Sequence, residues 1–255
     1  MLLGWSRAIL LQLAHPLMAA AVAAHSSFRG GPAAAASRLR HTVGAMLDLT
    51  FGDEAAHARA LAGIRVIHNR VNGRLATAVG VFPPGTPYSA NDPDLLLWVH
   101  VTLLESVVLA HEAVISPIDP ADLDAYCEES APVAISLGAR AEDVPRTWPA
   151  LLARVASVEA SGVLCVGADA QMLAHAVLAP PMSGAIWPIA WLNRPFTIGT
   201  LPREIRRQYG FDQSPGSAAR LRRATRFVRG VRRVTPRVIA QWGRSRSERV
   251  AAPQA

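Results

Sequence analysis

Lysine is absent from this sequence of 255 residues, and cysteine occurs only twice, at Cys127 and Cys165. Two cysteines exclude a disulfide scaffold and an all-cysteine metal site. Aromatic residues make up 6% and charged residues 18%, whereas hydrophobic residues reach 51%. Disordered chains are poor in apolar residues and rich in charge, so this composition excludes disorder as the dominant state. Strand-favouring runs are scarce and Ala, Leu and Val are abundant, which favours an all-α fold.

Every basic residue is an arginine, and the arginines are unevenly distributed along the chain. Residues 1–200 hold 12 arginines against 16 acidic residues, a net charge of −4, whereas residues 201–255 hold 14 against 3, a net charge of +11. The overall charge of +7 is therefore a property of the C-terminal segment. We predict a single helical domain over residues 1–214, with a basic helix and tail over residues 215–255 that pack on it or extend from it.

Apolar periodicity, N-cap residues and Pro or Gly break points predict the positions of the helices. Asp53, Asp92 and Asp119 each precede a helical pattern, as N-cap residues do. Residues 93–115 are apolar on nearly every face, which is typical of a central core helix. Prolines and glycines predict an irregular connection over residues 80–92. The predicted helices span residues 5–25, 35–51, 54–72, 93–115, 120–137, 148–160, 168–179, 183–194, 202–209 and 215–234.

The N-terminal segment has no charged region ahead of its apolar run and no small-residue cleavage site. We therefore predict no secretory signal and a cytoplasmic location. The longest uncharged stretch, residues 170–193, is long enough to span a bilayer on length alone. Because Pro180, Pro181 and Pro188 would break it into two short helices, we interpret it as buried or interfacial.

The eight histidines are the main chemical resource of the sequence, and several known motifs can be excluded. His111 and Glu112 begin a zinc-protease helix motif, but Ile115 stands where that motif needs a second histidine. Glu54 and His57 match one Glu-x-x-His unit of a di-iron bundle, and the second unit that such bundles need is missing. No Gly-x-Ser-x-Gly elbow, P-loop or dinucleotide fingerprint is present.

Histidines and arginines on four predicted helices remain as candidates. Their spacing places three sets on shared helical faces: Arg38 with His41 and Thr42, Arg65 with His68, and His100 with His111. Taken alone, each histidine could be a hydrogen-bonded core residue. An imidazole in an apolar pocket can also be an axial ligand of haem, and nearby arginines could pair with the haem propionates.

Six stretches of the sequence carry a family resemblance. They are residues 10–16 (LLQLAHP), 38–42 (RLRHT), 50–53 (TFGD), 65–73 (RVIHNRVNG), 92–100 (DPDLLLWVH) and 201–203 (LPR). With these stretches, residues 5–235 resemble the catalytic domain shared by latex-clearing protein (rubber oxygenase) and the fungal MpaB-type oxygenases.

The resemblance implies an all-α helical bundle with a globin-like core, which holds haem b and uses dioxygen on a hydrophobic, lipid-like or polyprenoid substrate. It implies that His68 binds the iron and that Arg38 and Thr42 line the distal side. Rubber-cleaving members carry a lysine just before that threonine. His41 stands there instead, which argues against polyisoprene itself as the substrate. Glu105 is the nearest substitute in character for the acidic residue that assists cleavage in those enzymes.

We therefore predict two sets of site residues. The predicted catalytic residues are Arg38, His41, Thr42 and Glu105. The predicted cofactor-binding residues are His68, Arg38, Arg65 and His100, with His68 as the ligand of the metal.

Two further hypotheses remain open. The histidine at position 41 also supports a non-catalytic haem-binding or lipid-binding protein associated with the membrane surface. In the basic helix, arginines alternate with apolar residues such as Leu221 and Phe227, a pattern that suits contact with an anionic membrane, here the inner membrane face. The same pattern is expected of a solvated face packed on the bundle. Because these arginines belong to no recognisable reading module, we expect no nucleic-acid partner.

Overall fold

The computed structural model describes residues 2–25, 41, 44–50, 52–178, 187–211 and 215–234. In these ranges the chain is predominantly helical, which confirms the all-α class. Two short strands, β1 (Asn72–Arg74) and β2 (Pro87–Ser89), form an antiparallel pair, and residues 44–50 are also helical. The helices are α1 (Leu2–Leu13), α2 (Pro16–His25), α3 (Glu54–His68), α4 (Pro93–Val114), α5 (Pro120–Leu137), α6 (Trp148–Ala160), α7 (Ala168–Leu178), α8 (Trp187–Thr200), α9 (Arg203–Gln208) and α10 (Pro215–Val234).

Helix boundaries follow the capping residues that the sequence predicts. The Asp53 carboxylate accepts a hydrogen bond from the backbone N–H of Ala56 (2.8 Å) and begins α3. Asp92 and Asp119 cap α4 and α5 in the same way. Gly138 ends α5 with φ of +119°, a left-handed conformation that suits glycine. The predicted bounds of α5 and α6 are therefore confirmed to the residue, and those of α10 also agree.

One predicted helix, residues 5–25, is wrong because the structure divides it into α1 and α2, whose axes differ by 103°. Pro16 is the first residue of α2, where its missing N–H costs least. The break frees the Ala14 carbonyl, which accepts a hydrogen bond from the backbone N–H of Cys165 (2.9 Å). The bend is thus stabilised from outside the two helices.

The prediction that residues 80–92 contain no regular structure is also wrong, because β2 lies there. Pro87 pairs with Arg74 as the first residue of β2, a position where a strand tolerates proline. A strand of three residues is too short to show the alternation by which strands are recognised. α3 ends at His68, four residues before its predicted end, and the turn leads directly into β1.

α4 is the central helix, and it packs against α1, α5, α6 and α10. Its length and composition would allow it to cross a membrane, but 61% of its most apolar window is buried inside the protein. α1 and α2 together would pass the same test and are sharply bent. The indole N–H of Trp98 donates to the Leu11 carbonyl (3.3 Å), which links α4 to α1. The prediction of a central core helix is confirmed.

Other predicted elements are only partly described. The uncharged stretch 170–193 falls on α7 and α8, as the prediction of two helices requires, although α8 begins at Trp187 and continues to Thr200. Residues 179–186 between them lie outside the described residues. Of the predicted helix 35–51, residues 41 and 44–50 are helical and the others are not described.

Candidate functional site

His68 is the last residue of α3, and its imidazole is half-buried. Its Nδ1 is shielded from solvent and has no hydrogen-bond partner in the described part of the chain. Burial lowers the pKa of the imidazole, so the ring is held in its neutral form. A neutral imidazole with a free nitrogen is the form that binds a metal. The backbone carbonyl of His68 accepts from Val71 N (3.0 Å), which fixes the residue at the turn.

One face of α3 is half-buried. Its half-buried residues recur at helical spacing, and no residue of the helix is fully buried; they are Ala56, His57, Ala60, Leu61, Ile64 and His68. The outer face is apolar at its end, where Val66 is 52% and Ile67 is 61% exposed. His68 therefore lies at the end of a largely apolar stripe that the described residues cover only in part.

Arg65, one turn before His68, binds the end of α5. Its Nε donates to the Ser136 carbonyl (3.1 Å), and its Nη2 donates to the same oxygen. A guanidinium at the C-terminal carbonyls of a helix is favoured by the helix dipole. Arg65 therefore joins α3 to α5 in this structure, and its side chain remains exposed.

His100 lies in the middle of α4 and is buried. Its Nε2 has no hydrogen-bond partner among the described residues, and burial lowers the pKa of the ring to about 4. His111, on the same face of α4, has a buried and equally unpartnered Nδ1. The His111 ring lines a cavity of about 140 Å³ between α4 and α5, whose other walls include Val107 and Tyr126. One face of the central helix thus carries two buried imidazole nitrogens that have no hydrogen-bond partner in the described residues.

His15 is a buried histidine for which the sequence analysis proposed no role. It lies at the break between α1 and α2, with its ring centroid 5.4 Å from that of Phe82. Burial lowers its pKa to about 4, although the negative charge of Asp92 raises it in part. Its Nδ1 has no partner in the described residues. A histidine directly before a helix-breaking proline was the available signal for such a position.

Glu105 forms an ion pair with Arg7 across α4 and α1, with Arg7 Nη1 and Glu105 Oε2 2.8 Å apart. The same guanidinium donates to Ser106 Oγ (2.7 Å) and to the Thr200 carbonyl (3.0 Å). Burial, followed by the nearby charge of Glu105, raises the pKa of Glu159. Arg7 is not among the site residues predicted from the sequence. An arginine inside an apolar helix needs a buried partner, and that signal could have found it.

The predicted distal residues are described only in part. His41 is helical and exposed, whereas Arg38 and Thr42 lie outside the described residues. No hydrogen bond or ion pair joins Arg65, His68, His100 and Glu105 to one another within the described ranges. The structure places the first two on α3 and the last two on α4.

In the described part of the chain, no group of three or more His, Cys, Asp or Glu side chains could hold a metal ion. Among these described residues, a metal could instead be bound by a single imidazole. Haem fits this pattern, because its porphyrin supplies four ligands and the protein needs to supply only one or two. The ring of His68 is half-buried and that of His100 is more deeply buried.

The profile of the family described as ER-bound oxygenase mpaB/B′/rubber oxygenase, catalytic domain, matches residues 1–230. Comparison with curated proteins and with solved structures found no match. The family match covers all of the described helices except the last residues of α10.

Proposed function

This chain belongs to the catalytic-domain family of the ER-bound oxygenase mpaB/B′ and rubber oxygenase, and we propose that it is a haem b-dependent oxygenase that acts with dioxygen on a hydrophobic substrate. Family membership supports oxygenase chemistry. The single structural observation that supports haem is the neutral, half-buried imidazole of His68, whose shielded Nδ1 has no partner among the described residues.

The described residues that precede His68 on its helical face are largely apolar, as the surroundings of a haem would be. The stripe of α3 that ends at His68 contains Leu61 and Ile64, and it lacks complete cover in the described ranges. A buried polar atom without a hydrogen bond is rare in folded proteins, because leaving it unpaired costs about 1 to 3 kcal/mol. Coordination would remove that cost at His68. The exposed Ile67 adds apolar surface at the same end of the helix.

Haem b would supply the activation of dioxygen and the electron transfer. His68 would hold the iron, and its lowered pKa keeps the coordinating nitrogen deprotonated at neutral pH. Arg65 is one turn away and would pair with a propionate in exchange for the Ser136 carbonyl. His100 is the second candidate to hold the iron, since its Nε2 also has no partner in the described chain.

The catalytic roles of Arg38, His41, Thr42 and Glu105 remain predictions from the resemblance. For Glu105, the ion pair with Arg7 keeps one carboxylate oxygen, Oε2, bound to a guanidinium. Its other oxygen is the atom that could accept a proton from a substrate. Arg38 and Thr42 are four residues apart, a spacing that places two side chains on one face of a helix. They would orient a bound ligand by hydrogen bonding.

A hydrophobic substrate is supported by the apolar character of the chain and by the exposed apolar surface at the end of α3. A substrate of this class would be bound by burial of its surface and would need few polar contacts. The reaction could be cleavage, hydroxylation or desaturation, and the three differ in how much dioxygen is incorporated into the product.

An absorption spectrum of the purified full chain, expressed with a haem precursor, tests the proposal. We expect a Soret band that shifts on reduction with dithionite and shifts again with carbon monoxide. Folded protein, verified by circular dichroism, that neither carries haem nor takes it up from solution would contradict the proposal.

The second candidate is a non-catalytic haem-binding or lipid-binding protein, which is favoured by the exposed His41 where rubber-cleaving relatives carry lysine. Oxygen uptake in the presence of an unsaturated lipid or polyprenoid distinguishes the two. An oxygenase consumes dioxygen and forms a modified lipid that mass spectrometry detects. A carrier binds the same lipid and leaves both the lipid and the dioxygen unchanged.

A further inference from the structure

α10 is attached to the body of the protein along one face. Leu221 lies against α8 at Gly199, where an added Cβ would come within 2.8 Å of Leu221 Cδ2. Farther along, the Arg229 guanidinium donates to the backbone carbonyls of Ala113 (2.8 Å) and Glu112 (3.2 Å) at the end of α4. α10 is thus held by an apolar contact with α8 and by hydrogen bonds to the end of α4.

The opposite face of α10 is cationic and exposed. Arg222, Arg223 and Arg226 are exposed, and Phe227 beside them is 54% exposed. At about 100° per residue, these four side chains fall within an arc of roughly 140°. Leu221 and Thr225, which are half-buried, lie outside that arc. This cationic face is defined here by Arg222, Arg223, Arg226 and Phe227.

In the ranges that the structure describes, no acidic side chain forms an ion pair with the cationic face. α10 contains seven arginines and no Asp or Glu. None of the three arginines of the face forms an ion pair with another residue of the described chain. Three unpaired charges on adjacent turns repel one another, an arrangement that favours an anionic partner.

We infer that the cationic face is a docking surface for an anionic lipid bilayer, on which α10 lies parallel to the membrane plane. α10 contacts the rest of the protein at two points along its length. Its exposed side can therefore lie flat against a planar surface. The exposed phenyl ring of Phe227 favours a membrane, since it can enter the boundary between headgroups and acyl chains. The arginines then bind the lipid phosphates, each adding about a factor of five in affinity.

The inference does not depend on haem binding. It goes beyond the proposed oxygenase function by giving the protein a place at a membrane, where a lipid-like substrate would be dissolved. Binding to vesicles can be measured on the full chain whether or not it carries haem. A failure of one proposal is therefore distinguishable from a failure of the other.

Sedimentation of the full chain with vesicles tests the inference. We expect binding to vesicles that contain phosphatidylglycerol, little binding to pure phosphatidylcholine, and loss of binding as salt is raised. The variant Arg222→Gln/Arg223→Gln/Arg226→Gln should bind on the order of 100-fold more weakly. Phe227→Ala should weaken binding by a smaller factor, about tenfold, in a manner less sensitive to salt.

A matched control removes the same charge elsewhere. Arg59, Arg70 and Arg203 are exposed arginines outside α10, and their joint replacement by Gln should leave vesicle binding within about twofold of the wild type. Circular dichroism of both triple variants verifies the fold. Equal loss in the two triple variants would overturn the inference. So would retention of a DNA duplex by the wild-type chain without any binding to the anionic vesicles.

Discussion

The guanidinium of Arg7 and the carboxylate of Glu105 form a buried ion pair in which Nη1 and Oε2 are 2.8 Å apart. The two side chains are 3% and 13% exposed. Because Arg7 also binds Ser106 and the Thr200 carbonyl, one side chain of α1 connects α4 to the C-terminal end of α8. This pair is a buried polar connection between helices whose other buried residues are mostly apolar.

Replacing Arg7 should destabilise the protein strongly. In Arg7→Met the Glu105 carboxylate remains buried without its cation, and such a change costs roughly 3 to 5 kcal/mol in the free energy of unfolding. Urea denaturation followed by circular dichroism measures the loss. The matched control is Arg146→Met, which breaks an exposed ion pair with Glu128 and should cost less than about 1 kcal/mol. Equal losses of unfolding free energy in the two variants would contradict a larger contribution of the buried ion pair.

The stability of the protein should fall as the pH falls from about 6.5 to about 4. Burial lowers the pKa of His15 to about 4, below the value of about 6.5 in an unfolded chain. In this range the unfolded chain binds more protons than the folded one, so acid favours unfolding. His15→Leu removes this titration and should flatten the pH dependence of the unfolding free energy.

His25→Leu is the control for that measurement. His25 is exposed and hydrogen-bonded through Nε2 to the Asn72 carbonyl (3.1 Å). Comparison of the two slopes between pH 6.5 and 4 separates the effect of losing a buried histidine from that of losing an exposed one. A His15→Leu slope equal to that of the wild type would refute the contribution assigned to His15.

Gly4 allows α1 to approach α4 closely. A Cβ at Gly4 would lie 2.8 Å from the carbonyl carbon of Ser106, so Gly4→Ala should push the helices apart and destabilise the fold by about 1 to 3 kcal/mol. Gly63 in α3 has open space around its position. There Gly63→Ala should stabilise the helix by about 0.5 to 1 kcal/mol. Thermal unfolding of both variants distinguishes the two cases, and a stabilised Gly4→Ala would contradict the close crossing.

Much of the helical framework could be predicted because its boundaries are local. Asp119 and Gly138 mark α5 from both ends, and apolar residues on nearly every face of α4 identify the central helix without tertiary information. The bend at Pro16 was missed because the broken helix remains apolar on both sides. Its partner, the N–H of Cys165, is distant in sequence.

The candidate site was less predictable, because its chemistry depends on contacts between distant residues. The resemblance identified His68, and the shielded nitrogen and lowered pKa support that assignment. Arg65 was predicted to bind a cofactor, whereas in the structure it donates to the Ser136 carbonyl, a contact that helical spacing does not encode. Glu105 was selected by its charge alone, and its partner Arg7 became visible only in the fold.

The most direct test of the proposed function is a haem titration of three proteins: the wild type, His68→Ala and His57→Ala. His57 is the matched control, since it is on the same helix and its Nδ1 is already bonded to the Leu49 carbonyl (3.0 Å). We predict that the wild type and His57→Ala bind one haem per chain with the same Soret maximum. We predict that His68→Ala folds but does not show the Soret band of one bound haem per chain. Unchanged haem content and an unchanged spectrum in His68→Ala would contradict the assignment of the iron to residue 68.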